Sequence, residues 1–170
     1  YKKGSVVKLC MLAGHRNMEG ERAFVQELDA RKGGAALLKD TPLIAYRYNL
    51  GGGYYRSRGW EPLGHTGYYD TFGPELSFSR KIAGAVKGNV AIAKFTHSGS
   101  QIIDWTPEGS MAESRHIYPK FIQFVEDSIR ELSAKGHEVE VEGVFYHMGE
   151  NDMSFHPYRK EAAARVQAII

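Results

Sequence analysis

In SVVKLCMLAGHRNMEG, residues 5–20, an apolar run of strand-forming residues ends abruptly in a polar cluster, and this pattern is the strongest indication of the fold. Apolar side chains that do not alternate with polar ones are typical of a strand buried on both faces. The run ends at Gly14, and His15, Arg16 and Asn17 follow directly. An imidazole, a guanidinium and a carboxamide at the end of a buried strand indicate a functional site.

The same pattern recurs twice along the chain. NVAIAKFT, residues 89–96, is followed by HSGSQ, and VEVEGVFYH, residues 139–147, leads into HMGEND. We expect all three runs to be buried strands. Because ligands of parallel α/β sheets lie beyond the carboxyl ends of the strands, the three polar clusters are predicted to form one site.

Helical patterns separate these runs. PELSFSRKIAGAVKG, residues 74–88, begins with proline and ends with glycine, as helices often do. YPKFIQFVEDSIRELSAKG, residues 118–136, has an apolar face, and a third helix is predicted from about Tyr158. Strands alternating with helices predict an α/β fold: a doubly wound, mostly parallel sheet with helices on both faces, a three-layer flavodoxin-like domain over residues 1–170.

The composition of the chain excludes several classes of protein. The 170 residues are 42% apolar and 25% charged, with 22 basic and 20 acidic side chains and a net charge of +2. This is typical of a globular domain and argues against a nucleic-acid partner. Cys10, the one cysteine, excludes a disulfide framework. No apolar run approaches the roughly 20 residues of a membrane span, and no motif indicates a cofactor.

Both ends of the sequence suggest a segment of a longer protein. The chain begins at Tyr1 and ends in AAARVQAII, within a helical pattern. We therefore expect a domain that is incomplete at its C-terminal end, and a leader already removed from a secreted or periplasmic protein.

The segment from residue 46 to residue 72 shows neither helical nor strand periodicity and contains seven Tyr or Trp rings. Long loops are usually functional or disordered, and rings that favour packing argue against disorder. Two alternatives follow. The segment forms an aromatic rim for a sugar, or it is a compact loop that covers the edge of the core.

Four ordered blocks resemble the SGNH hydrolases of the carbohydrate-esterase type, which include sialate O-acetylesterases and acetylxylan esterases. GHRNMEG (14–20) resembles the family's G-Q-S-N-M-x-G, and FGPE (72–75) is identical to a motif of the family. KFTHSGS (94–100), with Trp105 after it, resembles K-x-x-x-G-G-T followed by tryptophan, and YHMGEND (146–152) resembles W-H-Q-G-E-S-D. The resemblance implies the SGNH fold and an esterase directed at acetylated or anionic glycans.

The sequence departs from this family at the nucleophile. Arg16 stands where the family has its serine, and a protonated guanidinium has no lone pair to attack an ester. The family's second element, a D-x-x-H pair, is absent from these residues, which truncation would explain. The resemblance implies that the N–H groups of residue 16 and Gly99 and the carboxamide of Asn17 form an oxyanion hole, with Ser98 in place of a family glycine. Alternatively, Asn17 caps a helix and Gly99 makes a tight turn.

Arg16 is suited to holding an anion on a sugar through its two-pronged guanidinium. The alternative is an ion pair with Glu150 or Glu75. Glu150 directly follows a predicted strand end and is expected in the site, whereas it could also be a surface charge beside Asp152. The remaining candidate ligand-binding residues are Ser98, Asn151 and Glu75.

Two functions follow from these residues. In the first, an active esterase uses Ser98 or Ser100 as nucleophile and His97 or His147 as base. In the second, the domain is an inactive pseudoesterase that binds carbohydrate, with Arg16 as its anion-binding residue.

A third function is a metal-dependent hydrolase. His15, His97 and His147 each follow a different predicted strand, and three histidines with an open position can hold catalytic zinc. No metal-binding spacing such as H-E-x-x-H accompanies them, so the pocket is assigned no metal.

Overall fold

The computed structural model describes residues 1–170, in which six strands form one sheet. The strands are β1 (Val6–Gly14), β2 (Thr41–Leu50), β3 (Tyr55–Arg56), β4 (Glu61–Leu63), β5 (Asn89–Thr96) and β6 (Glu138–His147). Their order across the sheet is β3-β2-β5-β1-β6, and β4 pairs with β2 outside this path. β1 is parallel to β5 and β6, and β2 is parallel to β5. The two short strands run antiparallel to β2.

Helices cover both faces of this sheet. They are α1 (Arg16–Glu19), α2 (Val25–Asp29), α3 (Gly34–Leu38), α4 (Glu75–Ala85), α5 (Tyr118–Ala134) and α6 (His156–Ile169). α5 buries Phe121, Phe124 and Leu132 in one core, and α4 packs Phe78 and Ile82 against the other. The prediction of a mostly parallel α/β sheet covered on both faces is therefore confirmed. None of the helices combines the length and apolar character needed to cross a membrane.

The central strands are buried because their sequences are apolar on both faces. In β1, Leu9 faces one core and Cys10 the other, and both are essentially inaccessible. Cys10 is a free thiol that packs as a small apolar side chain.

The prediction that residues 46–72 lack strand structure is wrong. β2 extends to Leu50, and β3 and β4 lie within the same segment. Tyr46, Tyr48 and Leu50 are buried on one side of β2, while Arg47 and Asn49 face the other side. This alternation is a strand signal of period two, and the tyrosines concealed it because they also suit a loop.

The prediction that the third strand is buried is also wrong. β6 lies at the edge of the sheet, and Val141, Val144 and Phe145 are 51%, 48% and 42% exposed. Its glutamates explain the difference, because Lys8 of the neighbouring strand pairs with Glu142 at 2.5 Å across an open surface. Alternating Glu and Val residues fit an edge strand better than a central one.

Candidate functional site

The structure brings the ends of β1, β5 and β6 together. Gly14 pairs with Thr96 on one side and with His147 on the other. The peptide N–H of His15 donates to the His147 carbonyl at 3.0 Å, and that of His97 donates to the Gly14 carbonyl at 3.0 Å. The three polar clusters therefore begin at one edge of the sheet.

Gly14 permits this close approach. It has a φ of +150°, and a Cβ built on it would lie 2.0 Å from the His147 carbonyl oxygen. No side chain larger than hydrogen fits between the two strands at this point, so the first glycine of GHRNMEG sets the geometry of the site.

His15 is fully buried and contacts the two other strand-end loops. Its Nε2 accepts a hydrogen bond of 2.8 Å from the Gly99 N–H, and its Nδ1 lies 3.4 Å from Glu150 Oε2. The ring must carry its proton on Nδ1 for Nε2 to accept. The Gly99 N–H, predicted as an oxyanion donor, is thus already engaged.

Burial lowers the pKa of His15 below its ordinary value, against the opposing effect of Glu150. Well above pH 6.5 the histidine is neutral in both folded and unfolded chains. Below about 6.5 the unfolded chain takes up more protons than the folded one, so stability falls as the pH decreases.

We therefore expect chemical denaturation between pH 7 and pH 5 to show a steeper loss of stability in the wild type than in His15→Gln. Glutamine offers an oxygen to the Gly99 N–H and does not titrate. The difference between the two slopes isolates His15 because every other titrating group is shared. Equal slopes in the two proteins would contradict this assignment.

Glu150 is the acceptor at the centre of the strand-end loops. Its Oε1 accepts a hydrogen bond of 2.8 Å from Asn17 Nδ2 and lies 3.7 Å from His147 Nδ1. With the His15 contact, one carboxylate faces residues that follow β1 and the last residue of β6. The Asn17 carboxamide, the second predicted oxyanion donor, is therefore engaged as well, and Asn17 makes no helix-capping bond.

Arg16 pairs with neither Glu150 nor Glu75, so the alternative of an ion pair with one of them is wrong. Its Nε lies 3.5 Å from Oε2 of Glu21, and both side chains are about two-fifths exposed, at 41% and 38%. Ser98 Oγ donates to the same Glu21 oxygen at 2.9 Å. The guanidinium thus faces the loop that follows GHRNMEG rather than the ends of the neighbouring strands.

The prediction that Glu75 binds a ligand is wrong, because the side chain is fully buried. Its carboxylate is inaccessible, pairs with Lys94 Nζ at 2.6 Å and accepts the Gly73 N–H at 2.9 Å. Lys94 Nζ also donates to the Glu19 carbonyl at 3.0 Å. The ion pair joins β5 to the first residue of α4, and its further hydrogen bonds connect it to the end of α1 and to the turn that precedes α4.

The structure does not bring the candidate serines and histidines together. Ser98 Oγ is bound to Glu21, and buried Ser100 Oγ donates to the His97 carbonyl at 2.6 Å and accepts the indole N–H of Trp105 at 3.0 Å. His97 Nδ1 lies 3.0 Å from the Ser98 carbonyl. Neither hydroxyl contacts an imidazole, which a serine nucleophile requires.

The three-histidine metal site is not assembled either. No group of three or more His, Cys, Asp or Glu side chains is placed to hold a metal ion. His15 and His147 both face Glu150, whereas His97 faces its own loop. The metal-dependent alternative therefore lacks its ligand set.

Asn151 and Asp152 connect the loops that follow β5 and β6. Asn151 Nδ2 donates to the Ser100 carbonyl at 3.2 Å, and buried Asp152 accepts the Ile102 N–H at 3.1 Å. Burial raises the pKa of Asp152. These contacts stabilise the loops that follow β5 and β6.

Two clefts flank Glu21. The arginine cleft, of about 390 Å³, is lined by Arg16, Asn17, Gly20, Glu21, Arg22, Ala23, Phe72, Gly73, Pro74 and Ser77. The tyrosine cleft, of about 420 Å³, is lined by Glu19, Glu21, Gly51, Tyr54, Tyr68, Tyr69, Thr71, His97 and Ser98. Sequence reasoning missed Glu21 and Arg22, although they directly follow the Gly20 that closes the first motif.

The tyrosines of the second cleft have two kinds of environment. Tyr68 donates to the Leu50 carbonyl at 3.1 Å, and burial raises its pKa to about 12. Tyr54 and Tyr69 are 92% and 76% exposed. The segment 46–72 therefore packs against the core through some rings and presents others at a cleft. The first feature agrees with a loop that covers the edge of the core, and the sugar-binding alternative stays a prediction.

Comparisons with known proteins agree with this architecture. A family model described as "Carbohydrate esterase, sialic acid-specific acetylesterase" matches residues 6–170. A solved protein from Arabidopsis thaliana is 16% identical with a TM-score of 0.68, over 95% of this chain and 65% of its own. NanS is 15% identical with a TM-score of 0.62, over 99% of this chain and 62% of its own. The chain thus spans less than two thirds of either structure, and these identities support the fold alone. The search of curated proteins found no match.

Proposed function

This chain belongs to the carbohydrate esterase family of sialic acid-specific acetylesterases, and we propose that it binds an anionic glycan without hydrolysing esters by the serine route. The observation that carries the proposal is the arginine at position 16, where the motif resemblance places the family's nucleophile. Arg16 is the first residue of α1, two positions after the last residue of β1, and its partner is a carboxylate, Glu21. An arginine that is held by a carboxylate can exchange that partner for an anionic group of a ligand.

The surrounding contacts support loss of the chemistry. Acyl transfer needs an activated nucleophile and donors that are free to stabilise the oxyanion. Here Gly99 N–H is bound to His15 and the Asn17 carboxamide to Glu150. A substrate carbonyl would have to displace both internal acceptors before it could use these donors.

The two clefts supply the binding chemistry. The arginine cleft carries two guanidinium groups, those of Arg16 and Arg22, and suits a carboxylate or another sugar-borne anion. The exposed rings of Tyr54 and Tyr69 border the tyrosine cleft and offer apolar faces with polar tips to a sugar ring. Glu21 lines both clefts, so one glycan could contact both.

We expect sialic acid, titrated by calorimetry, to bind the wild type more tightly than neutral galactose does. Arg16→Ala should weaken sialic acid binding roughly tenfold because it removes one charged hydrogen-bonding partner. Glu21→Gln should strengthen binding because it removes the internal competitor for Arg16. Arg159, an exposed arginine on α6, provides the control: Arg159→Ala should bind as the wild type does.

An ester panel completes this test. The wild type should release no acetate from O-acetylated sialic acids or acetylated xylan above the buffer rate. Turnover that persists in Arg16→Ala and is lost with Ser98→Ala would overturn the proposal in favour of an active esterase. Equal affinity of the wild type and Arg16→Ala for sialic acid would exclude Arg16 as the anion-binding residue.

A further inference from the structure

The tyrosine cleft is acidic, whereas the arginine cleft beside it is basic. The carboxylates of Glu19 and Glu21 line the tyrosine cleft, and no lysine or arginine does. The arginine cleft contains the guanidinium groups of Arg16 and Arg22. Because Glu21 pairs with Arg16 at 3.5 Å, Glu19 is the carboxylate that leaves the tyrosine cleft with an unbalanced negative charge.

Glu19 is a buried carboxylate without a cationic partner. It is 2% exposed and takes part in no ion pair, since Lys94 Nζ donates to its backbone carbonyl at 3.0 Å and pairs with Glu75 instead. Oε2 of Glu19 accepts a hydrogen bond of 2.8 Å from Thr96 Oγ1. Oε1 accepts none, and it is not among the polar atoms enclosed in the interior. A buried charge is costly unless it is paired, so Oε1 calls for a cation that enters through the cleft.

The other groups of the cleft are acceptors and aromatic rings. His97 Nδ1 lies 3.0 Å from the Ser98 carbonyl, which can only accept, so the proton is on Nδ1 and Nε2 of the neutral ring is an acceptor. The Tyr68 hydroxyl donates to the Leu50 carbonyl, so Tyr68 contributes its ring to the cleft. Burial, followed by the negative charge of Glu19, raises the pKa of Tyr68 to about 12, which indicates that the ring lies near this carboxylate. Acceptors and tyrosine rings around a carboxylate favour a cationic ligand with several N–H donors.

We propose that the tyrosine cleft binds the protonated amine of an amino sugar, with Glu19 Oε1 as its charged acceptor. The N–H donors of the ammonium group match Glu19 Oε1 and His97 Nε2, and its charge is attracted to the ring of Tyr68. The choice of a sugar rests on the function proposed above, whereas the amine follows from the charges of the cleft. Because Glu21 lines both clefts, a glycan that carries an amine and an acid would contact Glu19 and Arg16 together.

The test is a titration of the whole chain with glucosamine, N-acetylglucosamine and ethanolamine, followed by the amide resonances of residues 51–55 and 97–99. Glucosamine, which is protonated at neutral pH, should produce saturable shifts. N-acetylglucosamine has lost the charge and ethanolamine lacks the sugar ring, so each should bind roughly tenfold more weakly or not at all. Glu19→Gln keeps an oxygen for Thr96 but removes the charge, and it should weaken glucosamine binding roughly tenfold or more. The control Glu108→Gln removes the same charge from an exposed side chain that lines neither cleft, and it should stay within roughly twofold of the wild type.

Glu21→Gln separates the amine site from the anion site. It should weaken glucosamine binding because the tyrosine cleft loses a carboxylate, and strengthen sialic acid binding because Arg16 loses its internal partner. Glu21 is 38% exposed, so this variant also tests the amine site if Glu19→Gln does not fold. Arg16→Ala should weaken sialic acid binding without weakening glucosamine binding, so either proposal can fail while the other holds.

Three results would overturn the amine site. They are equal affinities of the wild type for glucosamine and N-acetylglucosamine, wild-type affinity for glucosamine in a folded Glu19→Gln or in Glu21→Gln, and the absence of saturable shifts in the wild type. If ethanolamine binds as tightly as glucosamine, the cleft recognises an amine alone and the assignment of an amino sugar is wrong.

Discussion

Replacing Lys94 by methionine should lower the free energy of unfolding by about 3–5 kcal/mol, because it leaves the Glu75 carboxylate charged and buried without a partner. Both side chains are inaccessible, and their charged atoms are 2.6 Å apart. Breaking one side of such a pair is more destabilising than the pair itself is stabilising, since the desolvated charge remains. Urea denaturation monitored by tryptophan fluorescence measures the loss.

A second substitution tests the reason for that loss. Lys94→Met/Glu75→Gln removes the stranded charge but keeps an oxygen for the Gly73 N–H, so the double variant should be more stable than Lys94→Met alone. Lys8→Met provides the control on β1, because Lys8 also has a glutamate at 2.5 Å but is partly exposed. Its loss should be much smaller than that of Lys94→Met, because solvent screens an exposed ion pair. A double variant that is no more stable than the single one would refute the stranded-charge explanation.

The central strands could be predicted from the sequence because burial on both faces leaves a continuous apolar run. β5 was expected at residues 89–96 and occupies Asn89–Thr96. β2 could not be recognised in the same way, since its outward residues are polar and its inward tyrosines fit a loop equally well. The strand signal was a period of two, and it was obscured by the glycines that follow.

The meeting of three strand ends could be predicted, but the side-chain partners could not. Parallel topology alone brings Gly14, Thr96 and His147 together. Whether Arg16 turns towards Glu150 or Glu21 depends on the path of the chain after Gly20, which no local pattern specifies. The Glu75–Lys94 pair likewise depends on how α4 packs on β5. For this reason Glu75 was predicted as a ligand-binding residue, whereas the structure buries it against Lys94.

Gly14→Ala should be the most disruptive single substitution at the site itself. The added methyl group would lie 2.0 Å from the His147 carbonyl oxygen, and alanine is strained at a φ of +150°. β1 and β6 would have to separate, which breaks the hydrogen bond from His15 N–H to His147 and shifts the His15 ring away from Gly99. We expect a loss of about 3 kcal/mol or more in the free energy of unfolding.

Gly143→Ala is the control that separates backbone strain from the close approach of the two strands. Gly143 lies on β6 with a nearly equal φ of +156°, but a Cβ there would meet nothing within 4 Å. Gly143→Ala therefore measures the backbone strain alone, expected at about 1–2 kcal/mol. The excess loss in Gly14→Ala is the cost of holding two strand ends at a distance that only glycine allows. Similar losses in both variants would mean that the strands separate easily, and that the buried His15–Gly99 contact does not depend on a rigid edge.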